Sequence, residues 1–153
     1  MAELEDDIRR RIGLYVDAAR ERMSPPPARV VELAPGEQVA WDDTCGMLYS
    51  RIASIEPIYR VNAPFTSCEP NFWVVSVAMG ALRCAAVMDN KGRPPSADAV
   101  TADGFEMLAD MQALRQAIMA VPGTRTLTTW LPMGPEGGVH GGEWTFTFRT
   151  GVT

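Results

Sequence analysis

Few residues in this chain could do chemistry. His140 is the only histidine, and it sits among glycines in the run PMGPEGGVHGG. A Ser-His-Asp or Cys-His relay would have to draw on this one imidazole, and a general base must be held in a fixed position relative to the proton it takes. The surrounding glycines predict a mobile loop histidine instead. Cys45, Cys68 and Cys84 could join His140 in a Cys₃His zinc set, but separations of 23, 16 and 56 residues match no compact ligand spacing. An odd set of cysteines without CxxC spacing predicts reduced, partly buried thiols. Asp42 and Asp43 are neighbours, and adjacent side chains on a strand point to opposite faces, so the two carboxylates cannot share a substrate. The run GPEGGVHGG lacks the Lys-Ser/Thr ending of a phosphate-binding loop and has no helix after it. The expectation is therefore a non-enzymatic protein with no catalytic residue, no cofactor and no metal.

Composition agrees with that expectation. Net charge is −5 and the sequence pI about 4.9, the opposite of the basic footprint of phosphate-neutralising proteins. Trp41, Trp73, Trp130 and Trp144 are thus expected in a core or a subunit interface and not under stacked bases. At 153 residues, 46% hydrophobic and 22% charged, the chain has the size and composition of one globular domain. The longest nearly uncharged stretch, Asn71 to Ala81, is about half of the ~20 residues a membrane helix needs. No signal-peptide pattern opens the sequence, so a cytoplasmic protein without membrane contact is expected.

The elements that would position these residues follow from periodicity. Leu4, Ile8, Ile12, Tyr15 and Ala19 form one helical stripe over 1–23, with acids in the first turns and arginines in the last. Pro25, Pro26 and Pro27 end it and open a stiff connector over 24–38. A strand with an irregularity near Asp42 to Gly46 is expected over 39–55, then a long loop from Glu56 to Pro70. The segment 72–85 is apolar on both parities, as in a central strand. A second helix spans 97–121, with Leu108, Met111, Leu114, Ile118 and Val121 as its inner stripe and Gly104 weakening its first turns. Strands over 124–131 and 143–149 flank a flexible loop, Pro132 to Gly142. In the last strand Trp144, Phe146 and Phe148 alternate with threonines. The expected fold is a single α+β domain in the order α-β-β-α-β-β, an antiparallel or mixed four-stranded sheet packed against two helices.

Several phrases together resemble one family. They are QVAWDDTCGMLYSRI from Gln38, GALRCAAVMDNKGRPPSADAV from Gly80, DMQALRQAI from Asp110 and the closing MGPEGGVHGGEWTFTFRT. In this order they resemble the tail terminators of long-tailed (siphovirus) bacteriophages, in the version found in phages of actinobacteria. The resemblance covers roughly half of the chain. It implies a virion subunit, present in the host cytoplasm before assembly, that closes with copies of itself into a ring, usually of six. The ring sits on the tail tube, stops addition of tube protein and offers a face to the head-side stopper or connector protein, while DNA passes through its lumen without specific binding. It carries over no cysteine pairing. Closure suits such a device, because head-to-tail contacts that close under rotation stop growing. Mobile loops on a rigid sheet commonly carry binding. The expected protein-interface residues are therefore Ile58, Tyr59 and Phe65 in the first loop and Met133, Glu136 and His140 in the second, where deletion of Gly134 to Gly141 should leave the fold intact and impair assembly. The alternatives are a head-to-tail stopper or adaptor of the neck, and, from another class, a small cytoplasmic enzyme or ligand-binding protein using cysteine or histidine.

Overall fold

The computed structural model describes residues 2–37, 45–61 and 69–151. Two helices, α1 (Ala2–Arg22) and α2 (Ala97–Ala120), pack against one face of a five-stranded mixed sheet. The strands are β1 (Arg29–Ala34), β2 (Met47–Ile58), β3 (Phe72–Cys84), β4 (Thr124–Glu136) and β5 (Val139–Thr150), and their spatial order is β1-β2-β3-β5-β4. All pairs are antiparallel except β1 with β2. Among the described residues the order is thus α-β-β-β-α-β-β, with one strand more than the sequence predicts.

That strand, β1, lies inside the segment expected to be a Pro-rich connector. Arg29 to Val31 pair in parallel with Met47 to Tyr49, and the β-branched Val30 and Val31 suit a pleated surface. Of the expected strand over 39–55, residues 47–55 are strand. Its residues 39–44, with Trp41, Asp42 and Asp43, lie outside the described residues, and β2 continues through Pro57 to Ile58 into the predicted loop. A register shift falls between Ile52 and Ser54, while the irregularity expected near Asp42 to Gly46 lies mostly outside the described residues.

Alternation along the strands fixes the core. Leu48 on β2, Val75, Val77, Met79 and Ala81 on β3, and Phe146 and Phe148 on β5 point to the helices and are buried. α1 answers with Ile8, Ile12, Tyr15, Val16 and Ala19, close to its predicted stripe. The Tyr15 ring lies 4.5 Å from Phe146, and its hydroxyl meets Thr124 Oγ1 at 2.7 Å. Each of these large apolar side chains contributes about 1.5–3 kcal/mol by leaving water. Ser96 caps α2 by accepting the Ala99 N–H, and the helix runs unbroken through Gly104. Leu114, Ile118 and Val121 of its predicted inner stripe are buried and Met111 is half-buried, but Leu108 is 46% exposed and Asp110 is buried with Ala117 on the inner face. An arginine from the sheet explains the buried acid. Arg83 donates two 2.8 Å hydrogen bonds to Asp110 and a third, of 3.0 Å, to the Pro25 carbonyl.

The predicted flexible loop from Pro132 to Gly142 is a β-hairpin. β4 runs to Glu136 and β5 starts at Val139, leaving Gly137 and Gly138 as the turn. Both have positive φ (58° and 76°), the requirement of a two-residue turn matched to strand twist. Pro132 and Pro135 are tolerated because β4 is an edge strand. The thiols also differ from expectation. Cys45 and Cys84 are joined in a disulfide, their Cα atoms 4.9 Å apart, while Cys68 lies outside the described residues. No helix among the described residues is long and apolar enough to cross a membrane.

Candidate functional site

The sheet face away from the helices is built from cross-strand rows, because directly paired residues share a face. One row reads Ser54, Ser76, Thr147 and Thr126 across four strands, with the Thr126 and Thr147 hydroxyls 2.6 Å apart. Two rows along, past Arg51, Ala78 and Thr145, lie Tyr49 on β2, Gly80 on β3 and Glu143 on β5. Gly80 is there because the Tyr49 ring crosses it: a Cβ would lie 2.5 Å from the Tyr49 hydroxyl oxygen and 2.6 Å from the Gly142 carbonyl oxygen. The Tyr49 hydroxyl donates to Glu143 Oε2 at 2.7 Å, and Arg51 Nη2 donates to Oε1 at 2.5 Å. Burial and the neighbouring Glu143 charge push the Tyr49 phenol well above its usual range, so it stays protonated. The hydrogen bond to Glu143 likewise raises Arg51. Both oxygens of Glu143 are therefore engaged, which leaves this carboxylate as a brace between β2 and β5 and not a free base.

At the far end of the sheet a cleft of about 210 Å³ opens between α2 and the β4–β5 hairpin. Val100, Met107, Met133 and Pro135 give it apolar walls, and Asp103 and His140 give it a polar corner. His140 lies on β5 and is only 7% exposed, held by strand pairing to Arg83. Its Nε2 is 3.1 Å from Glu106 Oε1 and 3.8 Å from Asp103 Oδ1. Asp103 is fixed in turn, because its Oδ2 accepts the Ala86 N–H at 2.7 Å. The histidine expected in a mobile loop is thus rigid, and three metal-capable side chains converge on one point. The Cys₃His alternative fails for a separate reason: Cys45 and Cys84 are spent on each other.

The outer side of α2 exposes Phe105, Leu108 and Met119, and Val100 is exposed near its start. Val87 and Met88, which precede the helix in the chain, are exposed as well.

The six predicted interface residues do not form one patch. Met133 and His140 meet in the cleft, and Glu136 ends β4 beside it. Ile58 is half-buried at the end of β2, followed by the exposed Tyr59. Ile58 pairs with Phe72 and Val139 with Cys84, which puts the two groups at opposite ends of β3, roughly 40 Å apart at about 3.3 Å per residue. Phe65 lies outside the described residues. Sequence reasoning missed Asp103 and Glu106. Their i, i+3 spacing on a helix was a usable signal, but only the register of β5 against α2 brings His140 to them. Trp130 and Trp144 pack on each other at 5.7 Å against the core, as expected for an acidic chain. Comparison with protein-family models and with curated proteins found no match.

Proposed function

We propose that this chain is a ring-forming neck subunit of the tail-terminator type. Copies close head to tail on a tail tube, end its growth and present a face to the head-side connector, with DNA passing through the lumen. The observation that carries the reading is a sheet with two unlike open edges. Among the described residues β1 ends it on one side and β4 on the other, and β1 is parallel to its neighbour whereas β4 is antiparallel. Exposed edges invite pairing with another chain, and unlike edges favour a heterologous contact that can close into a ring. The apolar outer side of α2, with Phe105, Leu108 and Met119 exposed, gives a neighbour something to bury. Two separate residue groups at opposite ends of β3 suit a subunit that meets different proteins above and below. The phrases quoted from the sequence add the specific identity, and the net charge of −5 per copy disfavours adhesion of DNA to the ring. Size-exclusion chromatography with light scattering tests the assembly. The expected result is a discrete species near six times the 16.7 kDa subunit, formed alone or on addition of tube protein. A chain that stays monomeric with tube protein present would refute the ring.

A further inference from the structure

We propose that Asp103, Glu106 and His140 form a binding site for one divalent transition-metal ion of the zinc class, at the polar corner of the cleft between α2 and the β4–β5 hairpin. The site is independent of the ring assignment. Three observations converge on it. The ligand atoms lie within 4.8 Å of one another, and the contacts of 3.1 and 3.8 Å made by Nε2 are the spacings of atoms that share an ion about 2.0–2.2 Å from each. The ligands also stand on rigid elements. His140 is buried on a paired strand, and Asp103 is oriented by the Ala86 N–H, which leaves Oδ1 turned toward the imidazole.

The third observation is charge. Among the described residues no lysine or arginine forms an ion pair with Asp103 or Glu106. The nearest guanidinium by register, that of Arg83, is already used by Asp110 and the Pro25 carbonyl. Arg83 reaches Glu106 only through its charge, so two carboxylates converge here with no lysine or arginine bonded to them, and a divalent ion would balance that charge. Mixed imidazole and carboxylate donors select zinc, cobalt or manganese over magnesium, which prefers an all-oxygen shell. Three protein ligands leave a coordination position open, and the adjoining cleft can supply water or a small oxygen ligand to it.

The test uses the untagged full chain, stripped with chelator, with Cys68→Ser to remove the thiol outside the disulfide. Titration with Zn²⁺ is followed by calorimetry and by metal content after dialysis. The expected result is one ion per chain with a Kd of about 10 μM or tighter, unaffected by millimolar Mg²⁺. Glu106→Gln, at a partly exposed position where folding should survive, is expected to weaken binding at least about tenfold. His140→Gln should do the same, and Co²⁺ should give visible absorption that both variants lose. No bound zinc at about 100 μM, or affinity unchanged in Glu106→Gln of intact fold, would overturn the proposal.

Discussion

Replacing Asp110 with alanine should be among the most damaging single changes in this domain. The carboxylate is 2% exposed and its partner Arg83 6% exposed, with two hydrogen bonds of 2.8 Å between them. The pair ties α2 to β3, and through the Pro25 carbonyl to the chain that leaves α1. In Asp110→Ala the guanidinium stays buried without its counter-charge, because the Pro25 carbonyl satisfies only one of its donors. Breaking a buried pair from one side costs about 3–5 kcal/mol, against a total stability of about 5–15 kcal/mol for an ordinary domain. At 2–4 °C per kcal/mol for a chain of about this length, the melting temperature should fall by about 6–20 °C. Urea unfolding of the oxidised protein, followed by circular dichroism, gives the free energy directly. The double variant Arg83→Met with Asp110→Leu removes both charges, and it should recover most of the loss because well-packed apolar substitutes for a buried pair are often neutral. A value for Asp110→Ala within about 1 kcal/mol of the parent would refute the reasoning.

Tyr49→Phe removes a hydrogen bond to a buried carboxylate that Arg51 alone must then satisfy, and should cost about 1.5–3 kcal/mol in the same unfolding assay. Gly80→Ala places a Cβ against the Tyr49 hydroxyl and the Gly142 carbonyl, and should destabilise by about 1–3 kcal/mol, as overpacking does. Burial would raise the Asp7 carboxyl, but hydrogen bonds from Thr150 and Arg10 and the charges of Arg10 and Arg11 outweigh it and hold it below 3.8. Its stabilisation is therefore present above about pH 4 and lost as pH falls through the lowered value. Asp7→Asn should lower stability at pH 7 and converge with the parent in acid, which pH-dependent melting checks. Reducing the Cys45–Cys84 disulfide, with a sequence separation of 39, should lower stability by about 2–4 kcal/mol through the freed loop entropy of the unfolded chain, measured by melting with and without reductant.

Local periodicity made α1, β3, α2 and the Trp144 to Phe148 strand legible, because each follows from the spacing of its own residues. What was not legible depends on partners distant in sequence. β1 has an ordinary composition and begins two residues after Pro27, and it is a strand because β2 lies beside it. The hairpin was hidden by its glycines, which serve two purposes. Gly137 and Gly138 make the turn, whereas Gly142 is in a strand where a Cβ would lie 2.4 Å from the Trp130 ring. Residues 134–141 hold the end of β4, the turn and the start of β5, so excising them would damage the fold instead of leaving it intact. Leu108 belonged to the expected inner stripe of α2, but Asp110 holds the inward position because Arg83 receives it. The convergence of Asp103, Glu106 and His140 arises only from packing α2 on β5.

Tail length in particles assembled without this chain tests the central claim most directly. If the proposed ring ends tube growth, overlong, irregular tails are expected under negative stain. Tails of normal length beside unjoined heads would contradict it and move the chain to another position in the neck.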